Sequence, residues 1–117
     1  MSTVLVIDDT VDCAEPLAKL LRKVGHTVRT AYNGREAIAV LEYFHPDSII
    51  LDLMMPVMDG VTFLEHIRRD PAWANVRVIV FTGDGDALRT RRLAKLGVSK
   101  VMLKASIDYK HLAELVA

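Results

Sequence analysis

The chain has few of the features that would point to a secreted, membrane-bound or nucleic-acid-binding protein. Of its 117 residues only Cys13 is a cysteine, which excludes an internal disulfide bond. No apolar run approaches the ~18 residues that a membrane span requires, and the basic start of a signal peptide is missing. Basic and acidic residues number 15 each, so the zero net charge gives no general attraction to nucleic acid or anionic lipid. We therefore expect a cytoplasmic protein that binds its partners locally.

Two hydrophobic patterns alternate along the sequence. Continuous apolar blocks predict buried strands over 3–8, 48–53 and 76–82, and the more polar blocks 27–31 and 100–103 predict edge strands. The first helical segment carries Cys13, Leu17, Leu20, Leu21 and Val24 and stops at Gly25, and the others lie near 34–44, 59–69, 86–96 and 107–117.

Each predicted strand is thus followed by a helix, a pattern typical of α/β proteins. Right-handed crossovers then predict a doubly wound, flavodoxin-like (βα)5 fold, with helices on both faces of a five-stranded parallel sheet. The placement of buried and edge strands suits the order 2-1-3-4-5. A chain of 117 residues has room for one such unit, so we predict a single domain over residues 1–117.

Polar, chemically reactive residues stand at the ends of four predicted strands. Strand 1 ends in Asp8 and Asp9, strand 3 in Asp52, strand 4 in Thr82, and strand 5 is followed by Lys104. In an open α/β sheet ligands bind beyond the carboxyl ends of the strands, and adjacent strands lie about 4.8 Å apart. The sequence therefore predicts one basin that contains three carboxylates, a hydroxyl and an ammonium group.

Such a basin suits phosphoryl transfer. Three neighbouring carboxylates repel one another unless a cation neutralises them, and a site made only of oxygen ligands favours Mg²⁺. Asp52 can act as the nucleophile, while Lys104 and Thr82 supply positive charge and a hydrogen-bond donor for the phosphoryl oxygens. Taken singly, Asp8 and Asp9 would be read as a helix cap and Asp52 as a solvated strand end, but their shared location favours a functional site.

Four motifs together resemble the receiver domain of two-component response regulators: V-I-D-D, L-D-L-M-M-P-V-M-D-G, V-F-T-G and the lysine after K-V-M-L. The resemblance covers essentially the whole chain, and the stretch from Leu51 to Gly60 is its most distinctive part. It implies that Asp52 is the phosphoacceptor and that Thr82 and Lys104 contact the phosphoryl group. The implied Mg²⁺ ligands are Asp9, Asp8, Asp52 and the backbone carbonyl of Met54.

The resemblance also implies partners. The phosphoryl donor would be a phosphohistidine on a sensor histidine kinase or a histidine phosphotransfer protein. Phosphorylation would then act on a downstream protein target or effector domain through the face made by helix 4, strand 5 and helix 5. The domain would assist its own phosphorylation and dephosphorylation without being a separate enzyme, and it would contact neither nucleic acid nor membrane directly. The sequence leaves a homodimer open.

Three departures from the family pattern affect the expected signalling. Ala105 stands where proline commonly follows the lysine, and because a cis bond without proline costs about 3–4 kcal/mol, a trans bond is favoured. Val101 stands where an aromatic residue often rotates, so we hypothesise an output that depends less on that rotation. Third, Thr82 is followed by Gly83 where an alanine- or serine-like residue is often found, within the stretch G-D-G-D; Asp84 in that stretch lies where family members tune the access of water to the acyl phosphate. These departures keep open the alternative of a degenerate receiver that binds partners without being phosphorylated.

Other conspicuous residues have simpler interpretations. The basic cluster on the fourth helix predicts a solvated face, with partner contact as the alternative; its members are Arg89, Arg91, Arg92 and Lys95. The four histidines lack the spacing of metal ligands. Trp73 lies in a polar connection, and we expect it to cover the edge of the core.

Overall fold

The computed structural model describes residues 2–83, 87–104 and 109–116, without the side chains of residues 87–90, 109, 110 and 115. The strands are β1 (Thr3–Ile7), β2 (Thr27–Ala31), β3 (Ser48–Leu51), β4 (Arg77–Thr82) and β5 (Lys100–Leu103). The helices are α1 (Val11–Lys23), α2 (Gly34–Val40), α3 (Gly60–Arg68), α4 (Ala87–Lys95) and α5 (Tyr109–Leu115). Within this described part, none of the helices has the length and apolar character needed to cross a membrane.

The five strands form one parallel sheet in the order β2-β1-β3-β4-β5, which confirms the predicted topology. β2 and β5 are the two edges, as their more polar sequences predicted, and both have mixed burial patterns, whereas β3 is buried at every position. A strand in the centre of a doubly covered sheet has no solvent-facing side, so its sequence is a continuous apolar run.

Helices cover both faces of the sheet. Successive residues of β1 point to opposite sides, so Val4 and Val6 pack towards α1 and α5, while Leu5 and Ile7 pack towards α2, α3 and α4. The largest fully buried side chain is Phe63 of α3. The core therefore consists of two apolar layers, and the charged basin lies outside both, at one end of the sheet.

Several predicted boundaries were too long. β1 stops at Ile7 and β3 at Leu51, so Asp8 and Asp52 are the first residues beyond their strands. α2 ends at Val40, well before residue 44. These differences arise because apolar side chains continue to be buried in the turns that follow regular elements, and hydrophobicity alone does not mark the end of the backbone ladder.

The first helix buries a somewhat different face from the one expected. It stops before Gly25, whose φ of 103° lies in the left-handed region, as predicted for a glycine stop. Val24, however, is 56% exposed because it follows the last helical residue. Cys13 is half-buried. The buried stripe consists of Ala14, Leu17, Ala18 and Leu21.

Candidate phosphoryl-acceptor site

Three aspartates converge at the carboxyl end of the sheet, as the sequence predicted. One carboxylate oxygen from each of Asp8, Asp9 and Asp52 lies within 4.8 Å of those of the other two. Asp8 and Asp52 are each only 4% exposed, whereas Asp9 is exposed. The group thus has two buried carboxylates and a third at its mouth.

The central strands fix the two buried aspartates through their backbones. The amide of Asp52 donates to the carbonyl of Ile7 at 2.8 Å, and the amide of Asp8 donates to the carbonyl of Ala31 at 3.0 Å. Each side chain also accepts one hydrogen bond from the turn that follows it. Oδ1 of Asp8 accepts from the amide of Thr10, and Oδ1 of Asp52 accepts from the amide of Leu53, both at 2.9 Å. The other oxygen of each carboxylate is therefore the one that faces Lys104.

Lys104 bridges the buried pair. Its Nζ lies 2.7 Å from Oδ2 of Asp8 and 3.5 Å from Oδ2 of Asp52. The same ammonium lies 5.6 Å from the ring centroid of the buried Phe81, within reach of a cation–π interaction. Lys104 therefore sits closer to Asp8 than to Asp52, a preference that its position in the sequence did not indicate.

Burial raises the pKa of Asp52, and the neighbouring charge of Asp8 raises it further, while Lys104 partly offsets both effects. Burial opposes the charge on Lys104, but its hydrogen bond to Asp8 and the charges of Asp52 and Asp8 outweigh burial and raise the pKa of Lys104. Within the described part of the chain, one ammonium thus pairs with two buried carboxylates, and negative charge exceeds positive charge in the basin.

Thr82 and Met54 complete the predicted set with different degrees of burial. Thr82 is the last residue of β4, is fully buried, and is paired in register with Leu103 of β5. Met54 lies two residues beyond Asp52 in the connection to α3, with its side chain 55% exposed. The role of its backbone carbonyl as a metal ligand stays a prediction.

The connection between β3 and α3 is packed tightly against Asp52. A Cβ on Gly60 would lie 2.4 Å from the backbone oxygen of Asp52, so only glycine fits at this first position of α3. The side chain of Asp59 caps the helix by accepting from the amide of Thr62 at 2.8 Å. The sequence marked Asp59 and Gly60 as distinctive, but their function as the support of Asp52 appears only in three dimensions.

The same connection contains a strained turn. Val57 has a φ of 70°, which is unusual for a β-branched residue, and the amide of Met58 donates to the carbonyl of Pro56 at 2.8 Å. The side chain of Val57 is 71% exposed. The connection thus stores backbone strain a few residues from the candidate nucleophile.

Some sequence predictions fall outside the described residues, namely those on Ala105, Asp84 and the side chain of Arg89. Val101 is half-buried and packs against the core layer beneath α2, α3 and α4. The described members of the basic cluster, Arg91, Arg92 and Lys95, are exposed, which confirms a solvated face. Arg92 also pairs with Glu65 of α3 at 2.6 Å.

One arginine has a structural role that the sequence analysis missed. Arg68, the last residue of α3, donates from Nε to the carbonyl of Leu96 at 2.7 Å and from one terminal nitrogen to that of Val76 at 2.9 Å. Burial lowers the pKa of this guanidinium. An arginine near a helix end usually predicts solvent exposure, and one of the accepting carbonyls, that of Leu96, lies 28 residues further along the chain. Only the folded chain reveals this link between α3 and the end of α4.

The donor set fits a hard divalent cation. Three carboxylates from two adjacent strand ends offer oxygen ligands within the spacing that one ion can bridge, and Lys104 alone does not balance their charge. The same cluster and the same lysine would suit a phosphoryl group, whose oxygens require both a metal and a further cation.

The chain matches the family model of the response regulator receiver domain over residues 4–117. It is 32% identical to the transcriptional regulatory protein CpxR homolog of Haemophilus influenzae, over 100% of this chain and 50% of that protein. It is 36% identical to a protein-glutamate methylesterase/protein-glutamine glutaminase of Desulfotalea psychrophila, over 86% of this chain and 28% of that protein. A response regulator receiver protein from Pseudomonas putida has a similar structure, with a TM-score of 0.91 and 32% sequence identity. The match covers 97% of this chain and 93% of the chain from Pseudomonas putida.

The chain spans no more than half the length of these curated relatives. The names of these relatives describe a regulator of transcription and an enzyme, so one kind of domain accompanies different activities. The similarity therefore identifies the kind of domain and leaves the activity of each whole protein with that protein.

Proposed function

The chain belongs to the response regulator receiver family, and from this premise we propose that Asp52 accepts the phosphoryl group. One observation carries the assignment: the oxygens of Asp8, Asp9 and Asp52 lie within 4.8 Å of one another, beside the ammonium of Lys104. Asp52 is the aspartate at the end of β3, which is buried at every position; its amide donates to the carbonyl of Ile7 and its Oδ1 accepts from the amide of Leu53. Asp47, at the other end of that strand, has no such surroundings.

The proposed step is a direct displacement at phosphorus. An oxygen of the Asp52 carboxylate attacks the phosphorus of a phosphohistidine, the new O–P bond forms, and the P–N bond breaks. The imidazole leaves with the electron pair of that bond and takes up a proton, and Asp52 becomes an acyl phosphate. Because Oδ1 of Asp52 accepts from the amide of Leu53, we assign the attack to Oδ2.

We propose that Mg²⁺ binds to Asp9, Asp8 and Asp52, with the backbone carbonyl of Met54 as a further ligand. A bound divalent ion would neutralise phosphoryl oxygens and lower the pKa that burial and Asp8 raise at Asp52. Asp9 is suited to a direct contact because it is exposed at the mouth of the basin.

Lys104 and Thr82 would hold the remaining phosphoryl oxygens. The ammonium of Lys104 is already 3.5 Å from Oδ2 of Asp52, so it needs little movement to contact a group attached there. Thr82 ends the neighbouring strand β4 and can offer its hydroxyl as a donor. Both groups act on charge that builds up during transfer, where a fixed donor contributes most.

The surroundings of the basin favour a protein as the phosphoryl donor. Large apolar side chains are exposed at the carboxyl ends of the strands or soon after them, namely Val11, Met54, Val57 and Leu103. Such a rim around a charged centre is typical of a docking surface. We propose a sensor histidine kinase or a histidine phosphotransfer protein as this donor.

We further propose that residues 1–117 form one receiver domain that acts in the cytoplasm as a signalling domain and not as a separate enzyme. Its output would pass through the α4, β5 and α5 face to a downstream protein or effector domain, without direct contact to nucleic acid or membrane. Since Val101 on this face is a half-buried aliphatic residue packed on the core, the output would depend little on aromatic rotation.

Phosphoryl uptake from a small donor tests the assignment. The protein is incubated with Mg²⁺ and acetyl phosphate, and intact-mass measurement should find one phosphoryl group that is stable in acid and labile in base. Asp52→Asn should take up none, whereas the matched variant Asp47→Asn should behave as the wild type. Uptake by Asp52→Asn at the wild-type rate would refute the assignment. A wild-type chain that takes up none, but binds partners, would support a degenerate receiver.

A further inference from the structure

A cavity of about 240 Å³ lies between α2 and α3, at the opposite end of the sheet from Asp52. Its apolar wall is made by Ile38, Leu41, Ile67 and the indole of Trp73. Pockets that enclose drug-sized ligands usually measure 300 Å³ or more, so this cavity has the size for a single side chain. None of these residues belongs to the phosphoacceptor site.

The rim of the cavity is negatively charged. Glu42 and Asp70 line it, both are exposed, and His66 is the remaining polar residue there. The C-terminal ends of α2 and α3 lie beside these residues, and a helix C-terminus carries partial negative charge from its unpaired carbonyls. Two carboxylates and two helix ends of the same sign therefore favour a cation.

The wall is held in place before any ligand binds. The turn after α3 is closed by the amide of Trp73, which donates to the carbonyl of Asp70 at 2.9 Å, and by the amide of Ala72, which donates to Oδ1 of Asp70 at 2.9 Å. Arg68 donates to the carbonyl of Trp73 at 2.9 Å. The ring of His45 stacks on the indole of Trp73, with 5.5 Å between the two ring centroids. A preformed wall lowers the entropic cost of binding.

From these contacts we propose that the cavity, with Trp73 as its aromatic wall and Glu42 and Asp70 at its rim, binds an arginine side chain of a partner protein. Arginine fits this combination best, because its planar guanidinium stacks on aromatic rings and pairs with carboxylates through two hydrogen bonds. Its aliphatic stem would contact Leu41 and Ile67. The site would let a partner dock while the phosphoacceptor edge remains accessible.

Trp73 is the only tryptophan of the chain, so its indole reports on the cavity without a label. The probe is a blocked pentapeptide with arginine between glycines, added to the full chain at about pH 8, above the usual titration range of histidine. Its effect on Trp73 fluorescence and on the indole N–H resonance gives the affinity. The same peptide with citrulline has nearly the same shape without the charge.

We expect the arginine peptide to shift both signals in a saturable way, and the citrulline peptide to bind at least tenfold more weakly. Glu42→Gln and Asp70→Asn should each weaken binding about threefold to tenfold, whereas Glu114→Gln on α5 removes the same charge elsewhere and should change nothing. Absence of saturable shifts, equal binding of citrulline, or an equal loss in Glu114→Gln would each overturn the proposal.

Discussion

Strand β3 has an aspartate at each end, and the two carboxylates lie in opposite surroundings. Asp47, just before the strand, is exposed and accepts hydrogen bonds from both the amide and the hydroxyl of Thr3, each at 3.0 Å. These hydrogen bonds lower the pKa of Asp47. Asp52, just after the strand, is 4% exposed, and burial together with the charge of Asp8 raises its pKa.

The difference separates what stabilises the fold from what the site requires. At the Asp47 end a charged carboxylate is favoured by the folded state, because the amide and the hydroxyl of Thr3 both donate hydrogen bonds to it. At the Asp52 end the folded state disfavours the same charge, and the apolar core of β3 holds it there. A site that binds a cation and a phosphoryl group gains from this unrelieved negative charge, at the expense of stability. Substitutions at the Asp52 end should therefore affect mainly phosphoryl uptake, and substitutions at the Asp47 end mainly the free energy of unfolding.

The largest expected effect concerns the two lysines at opposite ends of β5. Lys104→Met removes the ammonium that, among the described residues, pairs with both buried carboxylates, so phosphoryl uptake from acetyl phosphate should slow about 100-fold, as when one fixed transition-state donor is lost. Lys100→Met makes the same change at the other end of the strand and should stay within about twofold of the wild type. Uptake rates followed by intact mass measure both. Equal rates in the two variants would contradict the role of Lys104.

A second test concerns the packing that supports Asp52. Gly60→Ala places a Cβ 2.4 Å from the backbone oxygen of Asp52, so α3 or the strand end must shift, at a cost of about 1–3 kcal/mol in free energy of unfolding. Gly83→Ala is the matched control, because no atom of the described residues lies within 4 Å of its added Cβ. Urea unfolding measures both. If the two alanines destabilise equally, the close approach at Gly60 is not what sets the geometry of Asp52.

The contrast between the two ends also explains which features the sequence could predict. Buried strands are continuous apolar runs, so the order of strands and the convergence of Asp8, Asp52, Thr82 and Lys104 at one edge follow from periodicity and topology. The closer pairing of Lys104 with Asp8 depends on side-chain directions that no spacing contains.

Other features come from contacts between segments far apart in the chain. The carbonyls that accept from Arg68 belong to the ends of other elements, and the cavity beside Trp73 needs α2 and α3 to lie side by side. Neither leaves a pattern in the local sequence. The exposure of Val24 was missed for a related reason, because helical spacing does not say where the helix ends.

A smaller effect is expected on the stability of the phosphoacceptor end. In the presence of a metal chelator, Asp52→Asn should raise the free energy of unfolding by about 0.5–2 kcal/mol. The substitution removes a buried charge that Asp8 repels, and the asparagine oxygen can still accept from the amide of Leu53. Unfolding by urea at pH 7 in EDTA measures it. A decrease in stability would mean that the attraction of Lys104 for the charged Asp52 outweighs burial and the repulsion by Asp8, and would contradict the balance of effects assigned to this basin.

The smallest effect is expected at the opposite end of the strand, where removal of a carboxylate should destabilise. Asp47→Ala removes the acceptor of the Thr3 amide and one of the two acceptors of the Thr3 hydroxyl, which also donates to the carbonyl of His45 at 3.1 Å. This loss should lower the free energy of unfolding by about 0.5–1 kcal/mol at pH 7, since the pair is exposed. Because the folded state lowers the pKa of Asp47, its contribution is complete above the ordinary value of 3.8 and is lost as the pH falls through the folded pKa. The difference between wild type and variant should therefore shrink on acidification below pH 3.8. A difference that grows there would show that Asp47 stabilises the fold as the neutral acid, and the contrast between the two ends of β3 would then be one of burial alone.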